Sequence, residues 1–151
     1  MSVWVNAGGT LISGPVGSTA PAVDALRLSL HVLAAAVWVG GQFTLAGLVG
    51  TARQLGPGAP KALARAFARL SWPAYAVLVL TGLWNIQAAH PSAQSLLWRT
   101  LLGVKIGVVA LAGLSAWLHS RAHRPAGLAV WGGVSALTSV SALVLGVVLA
   151  G

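Results

Sequence analysis

Residues 28–52 read LSLHVLAAAVWVGGQFTLAGLVGTA, an unbroken stretch without a formal charge. Wound as a helix at about 1.5 Å per residue, it covers roughly 37 Å, more than the ~30 Å hydrocarbon core of a bilayer. The apolar residues do not alternate, so a half-buried strand is excluded. In lipid a backbone must satisfy its own hydrogen bonds, which leaves a helix. Three further stretches have the same character. Residues about 70–89 and 125–150 are uncharged, and 96–119 carries only Arg99 near its start and Lys105. With the first span at about 24–52, these predict an all-α integral membrane protein, an up-down four-transmembrane-helix bundle.

The composition agrees. The chain has 151 residues, 57% of them hydrophobic and 7% charged, with a mean hydropathy of +0.85. A soluble domain is about 25% charged, so neither a soluble globule nor a disordered chain fits. There are no cysteines, and Met1 is the only methionine. That removes disulfides, thiolate metal sites and thiol catalysis. Asp24 is the only acid, which removes two-carboxylate mechanisms and carboxylate metal cages. Hydrolase or transferase chemistry is therefore disfavoured.

The remaining segments divide the spans. Residues 1–23 hold Gly8, Gly9, Gly14, Pro15, Gly17 and Pro21 without helical periodicity, and are expected to form an irregular arm rather than a signal peptide. Asp24 is placed to N-cap the first span. Gly56-Pro57-Gly58 breaks the chain after it. Lys61, Arg65 and Arg69 then recur every four residues, with Leu63, Phe67 and Leu70 on another face. This predicts an amphipathic helix over about 60–70, either interfacial or an extension of span two. Pro73 is expected to bend or start that span.

The nine basic residues outnumber the acid heavily. They flank the apolar runs instead of forming a patch, so nucleic acid is not the expected partner; the lipid bilayer is. Arg53, Lys61, Arg65 and Arg69 lie between spans one and two, and Arg121 and Arg124 between spans three and four. Arg27 and Arg99 lie on the other side. By the positive-inside rule both basic loops face the cytoplasm and both termini face out.

Lys105 lies six residues, roughly 9 Å, inside Arg99, and no acid within a span pairs with it. It could snorkel, sit as a neutral hydrogen-bonded amine, or meet an anion, metal or proton brought by a ligand. His31 shares a face with Ala35, Trp38 and Gln42 and lies at similar depth. It reads as a ligand or as a packing residue. Thr81 with Asn85, and Ser135 with Thr138 and Ser141, are placed to line the same interior or to bond between helices. His90, in the outer loop, could reach a site from above. His119 and His123 have metal-pair spacing but sit among Arg121 and Arg124 as a basic flank. Trp72, Trp84, Trp98 and Trp117 fit interfacial belts, whereas Trp38 is deeper and could cover a flat ligand or fill the core. Gly103 with Gly107, and Ala142 with Gly146 and Ala150, offer close contacts within the bundle or between protomers.

The order His31-x6-Trp38-x-Gly40-Gly41, then Arg65-x3-Arg69 leading to Thr81-Gly82, then Lys105, resembles the copper-resistance protein D membrane domain over about residues 27–121. The arrangement is also similar to the related J-type protoporphyrinogen oxidase family. The first resemblance implies a bacterial inner-membrane protein for copper uptake or transfer, with His31 and His90 as metal ligands and a periplasmic copper-binding protein as partner. The second implies a b-type haem redox protein. His31 would then be an axial ligand, Trp38 would cover the ring, and Lys105, Arg27 or Arg99 would pair with propionates. A third reading is a non-catalytic subunit of a homo-oligomer or larger membrane complex.

Overall fold

The computed structural model describes residues 3–5, 11–13 and 21–151. It holds four helices long and apolar enough to cross a membrane: α1 (Ala22–Gln54), α2 (Ala59–Ala88), α3 (Leu96–Arg121) and α4 (Pro125–Ala150). The all-α four-helix membrane bundle read from the apolar runs is the observed fold. Within the arm expected to be irregular, β1 (Val3–Val5) pairs antiparallel with β2 (Leu11–Ser13), Trp4 facing Ile12. The β-branched Val3, Val5 and Ile12 suit this pairing. The rest of the arm up to residue 20 lies outside the described residues.

Consecutive helices run antiparallel. Trp98 Nε1, early in α3, donates to the Leu149 carbonyl late in α4 at 3.2 Å. His119 Nδ1, late in α3, lies 2.9 Å from the Leu128 carbonyl early in α4. The His119 ring also packs against Gly132, so it serves as an interhelical clasp, in keeping with a flank rather than a metal pair. On the other side of the bundle His31, early in α1, meets Thr81, late in α2. Both described helical termini of the bundle therefore share one end, the His31 end. Arg53, Lys61, Arg65, Arg69, Arg121 and Arg124 gather at the opposite, basic end.

Several local expectations change. Asp24 does not cap α1. The helix starts at Ala22 behind Pro21, and Asp24 sits in the first turn, where its carboxylate accepts from Arg27 Nη2 at 2.9 Å. The amphipathic segment and span two are one helix of 30 residues, and Pro73 lies inside it. At about 45 Å this helix exceeds the ~30 Å core, so its basic first turns project past the apolar layer. Proline is tolerated there because neighbouring groups in a bundle can satisfy the freed carbonyl. Between α1 and α2, Gly56 has φ 131°, a conformation that glycine adopts without a Cβ penalty. Beyond α2, His90 takes a left-handed φ of 46° and closes the helix end.

α1 is not α-helical throughout. Ala36–Gly40 is a five-residue π-helical segment. The widened turn carries Trp38 into the bundle, where only 4% of it stays exposed. Elsewhere large apolar side chains such as Val32, Leu33, Leu80, Leu137 and Val147 point outward, as lipid-facing surface should.

Candidate functional site

Two polar layers cross the bundle. The first lies near the middle of all four helices. Trp38 Nε1 donates to Ser139 Oγ at 2.9 Å, and Gln42 Nε2 donates to the same oxygen at 3.1 Å. Ser135 Oγ reaches the Ala112 carbonyl at 3.3 Å and Gln42 Oε1 at 3.4 Å. Trp38 packs on Tyr75 at 4.6 Å between ring centroids and on Trp72 at 5.8 Å. The Tyr75 hydroxyl donates to the Val109 carbonyl at 2.9 Å, and a Cβ at Gly113 would collide with that ring. Every helix contributes, and each of Trp38, Gln42, Tyr75, Ser135 and Ser139 has at least one hydrogen-bond partner. Trp38 is thus a core residue here, its indole face covered by aromatics rather than free for a ligand.

Sequence reading found Ser135 but missed Ser139. It followed a three-residue step to Thr138 and Ser141. Thr138 instead bonds the Val134 carbonyl of its own helix, and Ser141 is exposed and bonds Leu137. The inward stripe on α4 steps by four, Ser135 to Ser139, and only the azimuth of the packed helix selects that step. Tyr75 was missed as well; an isolated tyrosine in an apolar run carries no spacing signal.

The second layer lies two turns toward the His31 end. His31 Nδ1 is 2.8 Å from Thr81 Oγ1. The Thr81 hydroxyl has one proton, and its short contact, 2.7 Å, is to the Val77 carbonyl. With that proton on the Val77 carbonyl, Thr81 is an acceptor for His31 in the tautomer that carries its proton on Nδ1, which leaves the lone pair on Nε2. The ring lies beside Gly82, with Cε1 at ordinary contact distance from where a Cβ would stand.

Lys105 enters this layer from α3. Its backbone is level with Ala142, by the register that pairs Trp98 with Leu149. Its Nζ nevertheless lies against Gly146, one turn further toward the His31 end. The side chain snorkels outward, which is the first of the three readings its sequence position allowed. It stays within Coulomb range of His31.

One turn further out, Arg27 on α1 and Asn85 on α2 stand level, four residues beyond His31 and Thr81. Arg27 is 9% exposed and holds Asp24. Arg27 Nε and Asn85 Oδ1 are buried without a hydrogen-bond partner. Arg99 and His90 sit at the same end but are exposed. His90 is two and a half turns beyond Thr81, so it does not share an ion with His31 in this conformation. Among the described residues no group of three His, Cys, Asp or Glu side chains stands ready for a metal. Gly103 and Gly107 face open space on the outside of α3.

Comparison with protein families, with curated proteins and with solved structures finds no match to this chain.

Proposed function

We propose that this chain is a membrane protein that handles copper at its His31 end, receiving the ion on the periplasmic face of a bacterial inner membrane. The observation that supports this most is the 2.8 Å contact between His31 Nδ1 and Thr81 Oγ1. A ligating histidine characteristically donates its second ring N–H to a neighbour, which fixes the ring and raises its basicity. Thr81 does this for Nδ1, and Nε2 is the nitrogen left for a metal. The ion is cargo: with a single imidazole and no sulfur ligand, the site suits transfer better than storage. The orientation follows the basic residues, with the Arg53 to Arg69 loop and the Arg121–Arg124 loop on the cytoplasmic side.

The haem reading draws on the same His31 nitrogen. It has less support from the packing, because the His31 ring lies beside Gly82 and Lys105 Nζ crowds Gly146, where a flat ring would have to enter between helices. Arg99 is exposed.

The test is a copper titration of the purified protein against a chromophoric chelator, with an absorption spectrum of the same sample. One copper per chain is expected, with no Soret band. His31→Ala should abolish the binding, and Thr81→Val should weaken it about 10- to 100-fold. Unchanged binding in His31→Ala would remove the proposal.

A further inference from the structure

The Trp38 layer lies near the midpoint of all four helices, and depths along the bundle are counted from it as the centre of the apolar slab. Arg27 is eleven residues from Trp38 along α1, about 16 Å out, and Asn85 is ten residues from Tyr75 along α2, about 15 Å out. The hydrocarbon core ends about 15 Å from its centre. Arg27 and Asn85 therefore lie where lipid headgroups begin. Arg99, ten residues from Val109, is exposed at the same height. Lys105 Nζ, beside Gly146, lies about a turn deeper.

The charge at this end does not balance. Arg27, Lys105 and Arg99 face a single carboxylate, Asp24, and that carboxylate is engaged with Arg27. Lys105 has no free acid to neutralise it, since the one acidic side chain, Asp24, is engaged with Arg27. The unmet hydrogen bonds are of opposite kinds: Arg27 Nε–H needs an acceptor and Asn85 Oδ1 needs a donor. Both atoms are closed to solvent here, so a hydroxyl has to part the two side chains to reach them; it then accepts from one and donates to the other. The nearby cations call for an anion on the same molecule.

We infer that Arg27, Asn85 and Lys105 form a seat for one anionic phospholipid with a hydroxyl-bearing headgroup, of the phosphatidylglycerol type, in the leaflet at the His31 end. Its hydroxyl bridges Arg27 Nε and Asn85 Oδ1. Its phosphate lies over Arg27 toward Arg99, and Lys105 supplies unscreened positive charge from below. A choline headgroup has no hydroxyl for Asn85 and brings a cation that Lys105 repels. The seat does not depend on copper handling. It does bear on it, since a bound phosphate would offset the repulsion that Lys105 exerts on a cation approaching His31.

The experiment is native mass spectrometry of the full chain with phosphatidylglycerol or phosphatidylcholine. It uses a background in which Arg53, Lys61, Arg65, Arg69, Arg121 and Arg124 are all replaced by Gln, so that the basic end does not contribute. One phosphatidylglycerol should bind at least about 10-fold more tightly than phosphatidylcholine. Arg27→Gln and Lys105→Gln should reduce that ratio below about 2, Asn85→Leu should reduce it about 3-fold, and Arg99→Gln should change it less. Asp24→Asn should raise it, because it removes the competing carboxylate; a merely structural role for these residues would not produce that rise. Equal binding of the two lipids, or a preference that survives in Lys105→Gln, would overturn the inference. So would displacement of the lipid by millimolar inorganic phosphate or glycerol 3-phosphate, which would identify a soluble-anion site instead.

Discussion

The Trp38 layer and the His31 end of this bundle both bring polar side chains among the helices but are completed differently. At the Trp38 layer, Trp38, Gln42, Ser135, Ser139 and Tyr75 bond to one another and to carbonyls of neighbouring helices. At the His31 end, Arg27 Nε and Asn85 Oδ1 lack partners and Lys105 lacks a counter-charge. A buried polar group in lipid is costly unless it is satisfied. The satisfied layer therefore reads as the clamp that fixes the four helices, and the unsatisfied one as the place where something from outside completes the structure.

This contrast can be broken by mutation. Trp38→Ala should have the largest effect, about 3–5 kcal/mol of lost stability as for other large core truncations. Unfolding in detergent would measure it, and a small loss would mean that the Trp38 layer is not the clamp. His31→Ala tests the opposite layer. It should cost more than about 100-fold in copper affinity, roughly 2.7 kcal/mol, while leaving the unfolding midpoint nearly unchanged. A large drop in stability there would make His31 a packing residue and erase the distinction. Gly113→Ala should cost about 1–3 kcal/mol by forcing Tyr75 off its position, with copper affinity unaltered. Ser139→Ala sharpens the comparison further. It removes the acceptor shared by Trp38 and Gln42, and bonds of this kind between membrane helices are worth about 0.6–1.7 kcal/mol. Ser141→Ala, on the exposed face of the same helix, should be indistinguishable from the parent protein in the same assay.

Much of the architecture was legible in the sequence. Three of the four apolar runs have boundaries within a few residues of the observed helices, and the run at about 70–89 matches at its end while its helix begins at Ala59; the length and apolarity needed to cross a bilayer are properties of a segment and not of its neighbours. The exceptions are instructive. Pro73 looked like a boundary and is interior, since bundle neighbours can offset what proline removes. Asp24 looked like a cap and became the partner of Arg27, because the helix starts two residues earlier.

The candidate site was only half legible. His31, Thr81 and Lys105 stood out as polar residues at similar depth, and that much follows from counting residues along helices. Their relations did not follow. Pairing Arg27 with Asn85, separating His90 from His31, and turning α4 so that Ser139 rather than Ser141 faces inward all depend on helix azimuth and register.

By itself the sequence determined the solvent, the number of spans and the scarcity of counter-charge, because each is a sum along the chain that packing cannot alter. Only the tertiary structure decided which nitrogen of His31 meets Thr81, which way the Lys105 side chain runs, and which polar groups are left unmet. Those are properties of contacts between helices far apart in sequence. A rotation of one helix by a single residue, about 100°, would exchange one set of partners for another while leaving every hydropathy sum unchanged.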